Sequence, residues 1–454
     1  MILFVSAGQE VTRKSNTSIN RRNMYLNYGL LTIATYFSNK GYPCIQVQGH
    51  FYQPLEFFNH YKRLGYFEND NPIFISIPSF YALSWTRKFL DFIRADNLKR
   101  KIIIGGRWLI DGEPQKLVQE IGRVDYIADG LGESHLNGIE NEFLLRLKKN
   151  LTSGKHSVLD YSVLENRYLY QPSIEVSRGC GMGCSFCQEK DQPLEKLIAP
   201  EILCNQIEET LLHDSLTKMT PYFEASMFIP SKEWSKKFYE VKKHHVLLDH
   251  LEWRTESRVD SINPQVLPFL SDSGLKIIDL GLESASEVQL KKMSKTNNPK
   301  RYLERASLIL KEAKNNNIKV KVNILLYAGE CAATVRETMD WLHQHREFIF
   351  GVSVGPVVVY GWDTKVASYM EQLRSFGATP ADFNSIKGVQ QINLSPSIDH
   401  HEARSLSMKI SREFMSAKNF FELKKFSYFS RDYLYNDFLY DLKNEDKNNL
   451  SFSI

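Results

Sequence analysis

Ile174–Gln188 reads IEVSRGCGMGCSFCQ, and it places three cysteines, Cys180, Cys184 and Cys187, within eight positions. Three thiolates so spaced can each hold one iron of a [4Fe–4S] cluster, which leaves a fourth iron without a protein ligand. An iron left open in this way can chelate an amino and a carboxylate group. Gly179, Gly181 and Gly183 let the backbone wrap closely around such a cluster, and Phe186 is placed to shield it from water. Zinc would require four ligands, usually as two separated pairs. No second pair exists, because Cys44, Cys204 and Cys331 are scattered singly. A disulfide framework would be denser, so the usage fits a reducing compartment with one metal site.

Working outward, Ser173–Val176 opens a series of short apolar runs separated by helix-length segments. Further strands are expected at 221–223, 251–254, 277–280, 319–325 and 352–360, with helices at 200–212 and 232–243. Six such units predict a partial (β/α)6 barrel with its site at the C-terminal ends of the strands, where the cysteine loop falls. Upstream, strands are expected at 2–6, 44–47, 73–77, 101–104 and 126–128, with helices at 25–40 and 85–96. This alternation predicts a doubly wound, Rossmann-like α/β domain. The expected layout is residues 1–146 for that domain, 147–172 for an irregular linker, 173–362 for the barrel and 363–454 for a helical C-terminal region. The aromatic run FSYFSRDYLYNDFLYDL at 426–442 is expected to pack as a C-terminal helix, with covering the barrel mouth or gripping substrate as the alternative.

The 454 residues are 43% hydrophobic and 24% charged, with a formal net charge of +4. That is material for a large core, with no charge excess pointing to nucleic acid. No apolar run is long enough for a signal peptide or a membrane span, so a soluble, cytoplasmic protein is expected.

The CxxxCxxC spacing, with an aromatic residue before the last cysteine, resembles the signature of the radical S-adenosylmethionine superfamily. The likeness extends through LEWRTESRVD (251–260), GLKIIDLGLES (274–284), LKKMSK (290–295) and NILLYAGECAATVRET (323–338). These follow in the order seen in the branch that includes cobalamin-binding, methylthiotransferase-like and coproporphyrinogen-oxidase-like enzymes. It departs at Ala328 and Cys331, where that branch has proline-glycine and threonine. The resemblance implies reductive cleavage of S-adenosylmethionine to a 5′-deoxyadenosyl radical, with an electron donor such as flavodoxin or ferredoxin. It assigns Cys180, Cys184 and Cys187 to iron, and Phe186, Glu224, Ser226, Arg258, Glu283 and Ser284 to S-adenosylmethionine. For any single one of these polar residues a structural role, such as an Arg258–Glu283 ion pair, is the competing reading.

NPIFISIPS (71–79), IIIGGR (102–107) and VDYIADGLGE (124–133) resemble the cobalamin-binding domain joined to many of these enzymes. By that resemblance Ser76, Ser79, Gly105, Gly106, Gly130 and Gly132 would let a flat corrin approach the backbone. The alternative is that these glycines only make turns. The Asp-x-His-x-x-Gly motif that supplies an axial histidine in some cobalamin proteins is absent, and the 7–23 loop has no histidine. His50 follows the second strand and could approach the corrin, but an ordinary surface or packing histidine is expected. Asp399 reads as a helix N-cap, with His400 and His401 on a solvated face; His244 and His245 also read as surface residues. The combined expectation is cobalamin-dependent methylation of an unactivated carbon in a small-molecule or peptide substrate. The alternatives are non-methylating radical chemistry and a non-catalytic cobalamin or iron–sulfur sensor.

Overall fold

The computed structural model describes residues 1–10, 17–96, 98–110, 112–144, 158–213, 219–381 and 386–454. Among them two parallel sheets dominate. The first contains β1 (Ile2–Ser6), β2 (Cys44–Gln48), β3 (Ile73–Ser76), β4 (Ile102–Gly105) and β5 (Tyr126–Ala128), in the order β2-β1-β3-β4-β5. Their near-continuous Ile, Val and Phe content suits strands covered on both faces. The covering helices include α1 (Tyr28–Asn39), α2 (Pro54–Arg63), α3 (Leu83–Ala95) and α4 (Pro114–Ile121). Pro54 and Pro114 stand in the first turns of their helices, where a missing N–H costs nothing. The strand order reverses between β1 and β3, which places the ligand crevice beyond the C-terminal ends of the central strands.

The second sheet runs in simple sequence: β6 (Ser173–Glu175), β7 (Tyr222–Glu224), β8 (Trp253–Arg258), β9 (Leu275–Glu283), β10 (Lys319–Leu326) and β11 (Gly351–Pro356). All neighbours pair in parallel. The outward face packs on helices in a core that includes Phe223, Trp253, Leu280, Ile309 and Val320. Phe223 and Trp253 stack at 4.3 Å. The inward face is polar, with Glu175, Glu224, Arg254, Glu256, Asp279, Lys321, Asn323 and Ser353 following the pairing register.

Two expectations change. Residues 352–360 are not one strand. Pro356 ends β11 on the open edge of the sheet, where proline is tolerated, and Val359–Tyr360 then pairs antiparallel with Val389–Gln390. The region after 363 is therefore not purely helical, since Thr379–Pro380 also pairs with Ile392–Asn393. The first part of the expected linker lies outside the described residues. Its remainder is packed, not loose: Tyr161, Val163 and Leu164 enter the core of the first domain, and Glu165 N–H donates to Gln46 O at 2.9 Å. No described helix is long and apolar enough to cross a membrane.

The tail comprises α5 (His400–Phe414), α6 (Ala417–Ser427) and α7 (Tyr435–Lys443). Asp399 caps α5 through a capping box, as expected. Phe420, Phe421, Phe429, Tyr433, Phe438 and Phe452 pack together beneath Ile277, at the N-terminal end of the barrel strands. The aromatic run thus closes the barrel floor and stays clear of its mouth.

Candidate active site

The cysteine loop leaves β6 at the barrel mouth. Gly179, Gly181 and Gly183 all take positive φ, between +64° and +72°. At Gly179 a Cβ would stand 1.9 Å from Pro193 O, so glycine is required there. The loop is pinned by Cys180 N–H to Gln192 O at 3.0 Å and Ser185 N–H to Met293 O at 3.0 Å. Cys184 is buried. Burial pushes the thiols of Cys180 and Cys187 up, so they must shed protons on binding metal. Among the described residues no three His, Cys, Asp or Glu side chains converge as ligands of one ion. An all-sulfur trio spread around a loop instead suits a cluster, whose irons take one thiolate each.

A cavity of about 780 Å³ separates the two sheets. On one side it is lined by Ser76, Gly105, Gly106, Gly130 and Gly132. On the other are Glu175, Arg178, Gly179, Glu224, Ser226 and Glu256. A Cβ at Gly105 or Gly130 would meet nothing within 4 Å, so these strand ends present flat open backbone to the cavity. Ser79 does not line it, because its hydroxyl turns aside to accept from Gln9 Nε2 at 3.1 Å. His50 lies past the edge strand β2, away from the lining, and burial lowers its imidazole pKa.

Carboxylates dominate the facing wall. Glu175 accepts from Arg178 Nε at 2.8 Å and from Tyr28 OH at 3.0 Å. Glu224 accepts from Ser173 Oγ at 2.7 Å, and burial raises its carboxyl. Glu256 is open to the lumen yet enclosed by the barrel. Burial, with Asp279 and Glu224 adding repulsion, pushes it up to about 8.

Beyond this wall a second cavity of about 1000 Å³ runs along β10 and β11 beneath α5. Glu283 lines it, held at φ +68° beside a register shift between β9 and β10, and accepts from Lys295 Nζ at 2.9 Å. His400 also lines it and is buried, correcting its placement on a solvated face.

Other sequence-derived roles need revision. Ser284 is buried and turned away from the lumen; its hydroxyl sits 3.1 Å from Thr338 Oγ1 and accepts from Ser286 N–H. Arg258 pairs with Asp260, not Glu283, through two 2.9 Å contacts. Phe186 packs edge-on against Tyr327 with Lys295 Nζ 5.9 Å from its ring, so it supports the loop's flank. Lys295 and Met227 also reach the loop. Met227 Sδ lies 4.0 Å from Cys180 Sγ and 3.0 Å from Ser261 Oγ. Lys295 closes the LKKMSK motif (290–295), whereas no local signal marks Met227; both meet the loop through tertiary folding.

Residues 174–342 match the radical SAM superfamily. These residues are a radical SAM domain. No curated protein matches the chain in sequence. Among solved structures, the chain is similar to the radical S-adenosylmethionine methyltransferase TsrM from Kitasatospora setae with tryptophan substrate and a SAM analog bound. That match has 14% identity and a TM-score of 0.65, over 98% of this chain and 89% of that one. TsrM with cobalamin and a [4Fe-4S] cluster bound gives 14% identity and a TM-score of 0.63 over 91% and 81%. The cobalamin-dependent S-adenosylmethionine radical enzyme OxsB, with aqua-cobalamin and S-adenosylmethionine bound, gives 14% and 0.57 over 83% and 55%. At this identity the likeness concerns fold: the radical SAM domain here follows a doubly wound domain in the same arrangement.

Proposed function

We propose that this radical SAM enzyme binds cobalamin between its two sheets and methylates an unactivated carbon of a small-molecule or peptide substrate. The carrying observation is the cavity in which open glycine strand ends face the cysteine loop and the Glu175, Glu224 and Glu256 wall. When bound, the cluster would supply the electron that cleaves S-adenosylmethionine, and the corrin would supply a transferable methyl group. The protein's part is to position and to exclude water. Cys180, Cys184 and Cys187 would hold iron. The ammonium and sulfonium of S-adenosylmethionine suit an acidic wall, and a cation beside Glu224 would oppose the rise that burial imposes on its carboxyl. Ser226 offers a further polar contact at the end of β7. Glu256 keeps a proton on its carboxyl at neutral pH and can donate a hydrogen bond within the lumen. An electron donor such as flavodoxin or ferredoxin would serve the cluster.

The test is anaerobic reconstitution with iron, sulfide and cobalamin, then incubation with methyl-labelled S-adenosylmethionine and reductant. Label recovered with the corrin fraction supports methylation. Formation of 5′-deoxyadenosine with no label on the corrin favours the non-methylating alternative. Failure to cleave S-adenosylmethionine at all favours a sensor.

A further inference from the structure

Arg258 ends β8 at the barrel mouth, and its side chain is buried beneath the cysteine loop. Nearly every donor on its guanidinium is committed. Nε donates to Asp260 Oδ1 and Nη2 to Asp260 Oδ2, both at 2.9 Å. Nη2 also donates to the backbone oxygen of Lys295. Nη1 lies 2.6 Å from Cys184 Sγ. Asp260 and the Lys295 carbonyl thus grip the fork from two sides and aim its remaining edge at sulfur. A guanidinium held this way is poorly placed to clasp a substrate carboxylate, which would need two free parallel N–H groups.

We propose that Arg258 is a positioning residue for the cluster: it tunes the reduction potential through an N–H···S bond to Cys184. This rests on the reading of Cys180, Cys184 and Cys187 as cluster ligands. One-electron reduction adds a negative charge shared with the ligand sulfurs. A cation and a hydrogen bond at one of those sulfurs stabilise the reduced form, so the potential rises. Asp260 works in the opposite sense. Its carboxylate sets the fork's direction and also offsets part of the positive charge. The electron comes from an external low-potential donor, and no proton or bond change at Arg258 accompanies it. The aiming of the fork is local: Asp260 follows Arg258 by two residues, and the tight turn is closed by Ser261 N–H to Arg258 O at 3.2 Å.

The test is a redox titration of the reconstituted full-length protein with titanium(III) citrate, following the reduced-cluster EPR signal in the absence of S-adenosylmethionine. Iron counts and the wild-type EPR signal check the cluster assignment separately, so its failure is distinguishable. Arg258→Met should weaken one-electron reduction about tenfold or more, which corresponds to about 59 mV lower potential. Arg258→Lys should fall between Met and wild type. Asp260→Asn should raise the potential, because it uncovers the positive charge. A structural loosening would move Arg258→Met and Asp260→Asn in the same direction. An Arg258→Met protein with full iron and an unchanged potential overturns the proposal. If that variant assembles no cluster, an unchanged or lowered potential in Asp260→Asn overturns it instead.

Discussion

Individual charges inside the barrel behave in opposite ways, and their partners explain why. Asp279 is fully enclosed, and burial alone would raise its carboxyl. Arg254 at 2.6 and 2.9 Å and Lys321 at 2.6 Å reverse that and hold it far below the usual carboxylate range. Asp279→Ala leaves Arg254 buried with its main counter-charge gone, at a cost of about 3–5 kcal/mol measurable by urea denaturation. The pair's contribution is present above the ordinary aspartate pKa and is lost only as pH falls through the depressed value. Glu256 has the opposite sign. Native Glu256 keeps its proton up to about 8, whereas the unfolded chain loses it in the ordinary carboxylate range. Stability therefore falls as pH rises across that interval. Glu256→Gln should melt above wild type at about pH 9 and lose that advantage by about pH 5, as read by calorimetry. A gap that does not change with pH would contradict the titration. The three cysteines were readable because their chemistry needs a local spacing. The Arg258–Cys184 contact was not, because it joins residues 74 positions apart.

At the scale of elements, the apolar runs found most strands because parallel strands are buried on both faces. All eleven expected strand positions are occupied by strand, with ends shifted by a few residues. The error at 352–360 came from reading a continuous apolar run past Pro356, which periodicity alone does not interrupt. The strand-end polar residues separated by direction, which the sequence does not record. Glu224 and Ser226 face the cavity between the sheets, Glu283 faces the second cavity, and Ser284 faces away. The open ends of β4 and β5 also carry a prediction. Gly105→Leu projects its side chain into the cavity, where nothing now lies within 4 Å of a Cβ. It should reduce corrin uptake at least tenfold in the visible spectrum while iron content and melting temperature stay near wild type. Unchanged uptake would place the corrin elsewhere.

For the whole molecule, the tail joins the domains from beneath. Met24 N–H donates to Tyr428 O, Arg22 pairs with Asp441 at 2.9 Å, and Arg254 Nη1 donates to Leu423 O across the barrel floor. Lys424 lies there among Tyr25, Phe420 and Tyr428, and burial, with Lys321 and Arg254 adding repulsion, lowers it to about 7. Truncation after residue 415 should strip this floor and abolish a single cooperative unfolding transition, as followed by circular dichroism; retention of one transition at the wild-type temperature would show the floor to be dispensable. With the floor closed, the chemistry is confined to the opposite end, where the two sheets face each other across one cavity. On this reading the cavity joins two cofactors. Anaerobic purification from cells supplied with iron and cobalamin, followed by iron analysis and the visible spectrum of one sample, tests it most directly. About four irons and one corrin per chain are expected, with the iron lost and the corrin kept in Cys184→Ala. A full cluster in Cys184→Ala, or iron without corrin bands in the wild type, would contradict it.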